Sequence, residues 1–118
     1  MYGVPANLDL SRFVGATLIQ LGVGEFQIQF HFHPDSSISV EGRWEVRDST
    51  GVLGDKAKEN AQRTGLYIHF LLGRKIGQYT VDAPRSFSLT FETGHKLTVF
   101  DDSREYESFS IQPGDIFV

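Results

Sequence analysis

The sequence predicts an α+β domain, mainly antiparallel β, in which two similar β-meander units are joined by one helical crossover. Three observations lead there. Apolar and polar residues alternate strictly through FQIQFHF at Phe26–Phe32 and again from Ile38 to Val46. A middle stretch, about residues 55–72, favours helix. The spacing of Gly, Gln and Val in the first half recurs in the second.

The alternation is the strongest of the three. Phe26, Ile28, Phe30 and Phe32 interleave with Gln27, Gln29, His31 and His33, and period-two alternation sends the two sets to opposite faces of a strand. Pro34, Asp35, Ser36 and Ser37 supply a turn, after which Ile38, Val40, Trp44 and Val46 return on the apolar side. The pair reads as an antiparallel hairpin with an aromatic underside, and Trp44, in phase with Val46, belongs to the core.

Ahead of this hairpin, residues 1–10 form an arm broken by Pro5, with Asn7 or Asp9 placed to cap a short turn and Leu8, Leu10 and Phe13 placed to pin it. A first strand is expected from Ala16 to Val23. After Arg47, Asp48-Ser-Thr-Gly51 is a turn signature. DKAKENAQRT, from Asp55 to Thr64, has no β-branched residue before its last position and favours helix. LYIHFLL at Leu66–Leu72 suits a strand or a buried helical turn; Leu66, His69 or Phe70, and Gly73 fall near helical spacing, and helix is the expectation. Strands return at Lys75–Val81, Phe87–Phe91, Leu97–Val99 and Tyr106–Ile111, with a short terminal strand at Ile116–Val118.

Two segments, about 15–47 and 73–112, share more than alternation. Gly15, Gln20 and Val23 match Gly73, Gln78 and Val81 in spacing. Phe26-x-Ile28-x-Phe30 then matches Phe87-x-Leu89-x-Phe91, Ile38-Ser-Val40 matches Leu97-Thr-Val99, and Trp44-Glu-Val46 matches Phe109-Ser-Ile111. An internal repeat is expected, in which neither unit hides its aromatic face alone and the two cover each other within one domain, 1–118.

Composition bounds the rest. Hydrophobic residues at 40% and charged residues at 22% are globular values, and no apolar run approaches the roughly 20 residues of a membrane span. The start of the chain shows no basic region followed by an apolar segment, so no signal peptide is expected. Without cysteine there is no disulfide framework and no thiolate ligand or nucleophile, and a cytoplasmic location is the expectation. A formal charge of −4 argues against a nucleic-acid partner. Basic residues concentrate in the middle: Asp55–Lys75 holds five against two acidic, flanked by three against six and three against seven. A solvated face explains this, with an acidic partner as the alternative.

W-E-V-R-D at Trp44–Asp48, L-L-G at Leu71–Gly73 and F-E-T-G-H-K-L-T-V at Phe91–Val99 resemble a family of small bacterial proteins of unknown function. Its members share a strand ending W-E-[LV]-R-D, a central L-L-G segment and a late F-x-[DT]-G-x-x-L-x-V hairpin. The resemblance covers most of the chain and implies the order of elements. It transfers no catalytic or binding residues.

His31-Phe-His33 is the nearest thing to a site. Two histidines at i and i+2 on a strand share a face and can both reach one metal, with Glu41, His69 or His95 to complete the set. The competing explanation is that the pair continues the polar series of Gln27 and Gln29. Asp101–Glu105 lacks the glycine and ligand spacing of a calcium loop, Gly22-Val-Gly24 lacks the third glycine of a phosphate loop, and no serine sits in a nucleophile elbow. No catalytic residue and no cofactor is expected. The function expected is a non-enzymatic protein-interaction module with a protein partner or a second copy as homodimer, without nucleic acid or membrane; the alternative is a small-ligand or metal-binding module using His31 and His33.

Overall fold

Alternation sorts the two faces of the strands Ile28–His33, Ser36–Val40, Trp44–Arg47 and Lys96–Phe100, whereas the strand Ser86–Phe91 is buried on both. The computed structural model describes residues 4–24, 27–56, 67–101, 109–112 and 116–117. A 3-10 turn at Ser11–Phe13 leads into β1 (Thr17–Val23), β2 (Ile28–His33), β3 (Ser36–Val40), β4 (Trp44–Arg47) and β5 (Leu53–Lys56). A second 3-10 turn at His69–Leu71 leads into β6 (Ile76–Asp82), β7 (Ser86–Phe91), β8 (Lys96–Phe100), β9 (Phe109–Gln112) and β10 (Ile116–Phe117). The fold is mostly antiparallel β. Its two five-stranded sheets run β1-β2-β3-β9-β10 and β5-β4-β8-β7-β6.

The strand orders show an exchange. β1, β2 and β3 form a meander in the first sheet, but β4 crosses to the second and pairs with β8, Trp44 facing Val99 and Val46 facing Leu97. β6, β7 and β8 form a meander in the second sheet, and β9 crosses to the first and pairs with β3, Phe109 facing Val40 and Ile111 facing Ile38. Each meander is thus completed by strands from the other half of the chain. Phe30, Trp44, Phe87, Phe91 and Phe109 all lie in one buried cluster. Aromatic edges lock the sheets in both directions: Phe30 meets Trp44 with ring centroids 5.9 Å apart, and Phe87 meets Phe109 at 4.9 Å.

A backbone seam joins the two meanders where their first strands begin. Gly15 N–H donates to Ile76 O at 2.8 Å, and Gly73 N–H donates to Leu18 O at 2.7 Å. Ile76 N–H donates to Ala16 O at 2.9 Å, and Leu18 N–H donates to Arg74 O at 3.0 Å. Exchanging the halves converts each bond of a pair into the other, and Thr17 faces Lys75 at the middle. The approach is matched too. Phe13 N–H to Leu10 O and Leu71 N–H to Ile68 O, both 3.0 Å, close the two 3-10 turns, and all four of these side chains are buried. Gly15 and Gly73 sit at φ +83° and +85°, a left-handed conformation that costs other L-residues energy, and each turns the chain from its 3-10 turn into the seam. β1 and β6 each carry a register shift just beyond it, before Gln20 and before Gln78.

The ladders correct one detail of the sequence comparison. Val23 pairs with Ile28 and Val81 with Phe87; Leu18 pairs with Phe32 and Ile76 with Phe91. Ile28, Phe30 and Phe32 therefore occupy the places of Phe87, Leu89 and Phe91, two residues on from the triplet matched by spacing; Phe26 lies outside the described residues. From Val23 to its partner Ile28 is five residues and from Val81 to its partner Phe87 is six, while the triplet matched by sequence begins three residues after Val23, two short of the ladder partner.

The described part of the stretch expected as a helix, about 55–72, is not helical. Asp55 and Lys56 end β5, where Asp55 pairs with Val46, and His69–Leu71 is a single 3-10 turn. Ile68 and Leu71 are buried at a three-residue spacing, which a 3-10 turn satisfies as well as an α-helix does. Residues 57–66 lie outside the described residues. The N-terminal arm is held as expected: Leu8, Leu10 and Phe13 are buried, Asp9 Oδ1 accepts the Ser11 N–H at 2.9 Å, and Val4 N–H donates to Pro84 O at 2.9 Å.

A Cβ at Gly15 or Gly73 meets no atom within 4 Å, so alanine there brings backbone strain without a clash. Gly15→Ala and Gly73→Ala should each lower unfolding free energy by about 1 to 2 kcal/mol, while Leu18→Ala should cost about 2 to 5 kcal/mol. Urea unfolding midpoints measure both.

Candidate functional site

His31 and His33 project from the outer face of β2, whose inner face is Ile28, Phe30 and Phe32. His31 is half-buried between Gln20 on β1 and Ser37 on β3, and its Nε2 lies 3.1 Å from Gln29 Oε1. His33 is exposed and pairs with Thr17. His31 also borders a shallow recess of about 340 Å³ together with Ile19, Gln20, Pro34, Asp35 and Ser37.

The residues expected to complete a metal set are spread out. Glu41 follows Val40, at the far end of β3 from Ser37; four residues at about 3.3 Å each separate it from His31 by roughly 13 Å along the strand. His69 stands in the second 3-10 turn. His95 lies in the β7–β8 turn of the other sheet, with Nδ1 2.8 Å from Thr93 Oγ1 and its ring against Phe70, centroids 4.8 Å apart. Among the described residues no group of three or more His, Asp or Glu side chains comes together. Asp101, at the start of the acidic turn, is half-buried and its N–H donates to Arg85 O; residues 102–105 lie outside the described residues.

Asp48-Ser-Thr-Gly51 is a turn built on its own aspartate. Asp48 Oδ1 accepts the Thr50 hydroxyl at 2.6 Å, the Thr50 N–H at 2.9 Å and the Val52 N–H at 3.0 Å. These bonds, the Thr50 hydroxyl foremost, hold the Asp48 carboxyl below its ordinary range, with a smaller pull from His95. Arg47 braces the same turn, donating to Gly51 O at 2.9 Å and from Nε to Glu45 Oε1 at 3.0 Å.

Two features beside this turn escaped the sequence. The first is an exposed apolar face around β5, comprising Val52 (62% exposed), Leu53 (39%), Tyr67 (57%) and Phe70 (44%). Leu53 faces Arg47 across the ladder, Tyr67 is tied to Asp55, and Phe70 rests on His95, whose neighbour Gly94 would bring a Cβ within 3.0 Å of Ser49. The second is Asp55, a buried carboxylate on the inward side of β5. Its Oδ1 accepts the Lys56 N–H at 2.8 Å, and its Oδ2 accepts the Tyr67 N–H at 3.0 Å. The place matched to Asp55 in the other sheet, opposite Ile111, is taken by Ile116. Val52 and Leu53 look like turn residues in the sequence, and Asp55 looks like the start of a helix; the edge strand instead sends Leu53 outward and Asp55 inward.

No protein-family model matches the chain, and no curated protein or solved structure matches it either. Among the described residues no helix is long and apolar enough to cross a membrane.

Because the folded-state pKa of Asp48 lies below that of the unfolded chain, its contribution to stability is fully present above about pH 4. That contribution is lost as pH falls from there through the depressed folded-state value. Asp48→Asn should therefore lower the urea midpoint at neutral pH and flatten the acid limb of a midpoint-against-pH curve; an unchanged acid limb would refute this role.

Proposed function

We propose that the chain is a non-enzymatic protein-interaction module, acting on a protein partner or as a homodimer, and built from a duplicated unit of five strands. The observation that carries the reading is the apolar face around β5. Four large apolar side chains stand in water along and beside the edge strand of a sheet, and grouped exposure of this kind marks contact surfaces more often than scattered single residues do. Tyr67 and Phe70 supply the aromatic character common at binding hot spots. The reading as a duplication is supported by the paired seam bonds and by the exchange of fourth and fifth strands between the sheets. An immunity-like or accessory role agrees with the resemblance to small bacterial proteins, and a cysteine-free composition suits the cytoplasm.

The test is the solution mass of the wild type and of a Val52→Asp/Phe70→Asp variant, by light scattering across a wide concentration range. Self-association of the wild type, its loss in the variant and an unchanged melting temperature are the expected result. A wild type that stays monomeric throughout would remove the homodimeric form of the reading.

A second reading, a metal-binding face at His31 and His33, is favoured by their shared outer face on β2. If it holds, zinc or nickel should raise the melting temperature of the wild type and leave His31→Ala/His33→Ala unmoved. Equal melting temperatures with and without metal in both proteins would dismiss it.

A further inference from the structure

Beside the apolar face around β5 stand two charges that the chain leaves unmatched. The first is Lys96 on β8, which faces Arg47 on β4 across the ladder, with Leu53 of β5 on the far side of Arg47. Their neighbours Leu97 and Val46 are buried, so Lys96 and Arg47 both project from the outer face of the sheet. Directly opposed side chains have Cβ atoms about 5 Å apart, and like charges in that relation repel. Arg47 is engaged within the chain, by Glu45 through Nε and Nη2 and by Gly51 O through Nη1. Lys96 is not: among the described residues no carboxylate pairs with it.

The second charge is Asp48, the residue after Arg47. Its bonds all fall on one oxygen, Oδ1, and among the described residues Oδ2 takes none. The turn that Asp48 opens lies against the turn that precedes Lys96, since a Cβ at Gly94 would come within 3.0 Å of Ser49. Phe70 rests on His95 in the same place. An unmatched cation, a half-used carboxylate and exposed apolar side chains therefore share one margin of the sheet.

A partner of a single sign suits only part of this margin. An acidic partner pairs with Lys96 and is repelled by Asp48 and Glu45; a basic partner pairs with Asp48 and is repelled by Lys96 and Arg47. A second copy brings one of each. In a two-fold contact residue i meets residue j while j meets i, so Lys96 of either chain meets Asp48 of the other. We propose that the face around β5 docks on the same face of a second copy, with Lys96 and Asp48 paired reciprocally across the two-fold axis and Val52, Leu53, Tyr67 and Phe70 covered between them. The step rests on the reading of the chain as an interaction module and names the second copy as the partner. The arriving carboxylate also offsets the repulsion between Lys96 and Arg47.

The experiment is the self-association constant of the full chain, by light scattering from about 1 μM to about 1 mM, with circular dichroism to check that each variant is folded. Lys96→Glu should weaken association about tenfold or more, while Lys96→Arg, which keeps the charge, should associate like the wild type. Sodium chloride at about 1 M, which screens charges beyond about 3 Å, should weaken the wild type as well. Because Lys96 opposes Arg47 and has no counter-charge of its own, Lys96→Glu should leave the melting temperature of the dilute, monomeric protein unchanged or raised. Mixing the Lys96→Glu and Asp48→Lys proteins should restore an association that neither shows alone, since every position 96 then faces an opposite charge at position 48. If Asp48→Lys fails to fold, the contrast of Lys96→Glu with Lys96→Arg carries the test.

Association that Val52→Asp/Phe70→Asp abolishes and Lys96→Glu leaves unchanged overturns the reciprocal pairing and leaves the apolar face as the contact surface. A wild type monomeric throughout overturns the second copy as occupant and leaves a different protein to cover the face. Association indifferent to both variants overturns this inference and the contact role of the face together. A melting temperature lowered by Lys96→Glu overturns the premise that the charge is unmatched within the chain.

Discussion

Four backbone hydrogen bonds between residues 15–18 and 73–76 set the geometry on which the rest of the molecule depends. Each meander begins with an edge strand, β1 or β6, and an edge strand with unpaired N–H and C=O groups is a template for wrong pairing. Joining the start of β1 to the start of β6 closes both edges at the same point. It also buries Leu18 and Ile76 beneath the seam, beside Phe13 and Leu71 from the two 3-10 turns. The contact is made by main chain, so it tolerates different side chains on its two sides: Thr17 faces Lys75, and Ala16 stands where Arg74 stands in the other half. Its backbone demand is a left-handed residue at each entrance, met by Gly15 and Gly73.

With the seam in place, the crossing of the fourth strands follows from burial. A three-stranded meander carrying Ile28, Phe30, Phe32, Ile38 and Val40 on one face has more apolar surface than three strands can cover. Trp44 and Val46 cannot fold back beside β3 without leaving the second meander's Leu97 and Val99 at an open edge. Crossing serves both sheets, since each fourth strand adds an inner row to the opposite sheet while its own meander receives one in return. The edge-to-face contacts Phe30–Trp44 and Phe87–Phe109 are the outcome, each joining a meander strand of one sheet to a fourth strand in the other. The fifth strands then become the outer edges, and there the halves diverge: Asp55 in β5 pairs with Val46, and at the corresponding register position Ile116 in β10 pairs with Ile111.

What the sequence made legible was decided by local chemistry. Period-two alternation revealed the inner rows of β2, β3, β4 and β8, because each is buried on one face and wet on the other. Trp44 in the core, the Asp9 cap and the pinning of Leu8, Leu10 and Phe13 were readable for the same reason. The match of Ile38-Ser-Val40 to Leu97-Thr-Val99, and of Trp44-Glu-Val46 to Phe109-Ser-Ile111, agrees with the ladders because those runs are anchored by cross-strand pairs. The aromatic triplet slipped by two because alternation is blind to shifts of two residues and the connections before it differ in length. β5 was invisible: Leu53-Gly-Asp-Lys56 has one apolar residue, which faces outward, and its inward residue is a carboxylate. Nothing in those four letters signals a strand. It forms because β4 offers an edge and because Asp55 finds backbone donors at Lys56 and Tyr67.

The same logic separates the two surfaces that compete for a functional role. On β2 the histidines belong to an orderly outer row, Gln20, His31 and Ser37 across three strands, with Gln29 holding the His31 ring. Polar side chains facing water need no further cause. Around β5 the large apolar residues facing water are Val52, Leu53, Tyr67 and Phe70, and leaving such side chains exposed forgoes roughly 1.5 to 3 kcal/mol each relative to burial. Val14, Ile19, Val23 and Leu72 are exposed as well, whereas Phe13, Phe30, Phe87 and Phe109 are at or below 1% exposure. A fold able to bury four phenylalanines that completely has the capacity to cover a tyrosine and a further phenylalanine. Exposed apolar side chains beside an edge strand are what the proposed contact with another protein would cover.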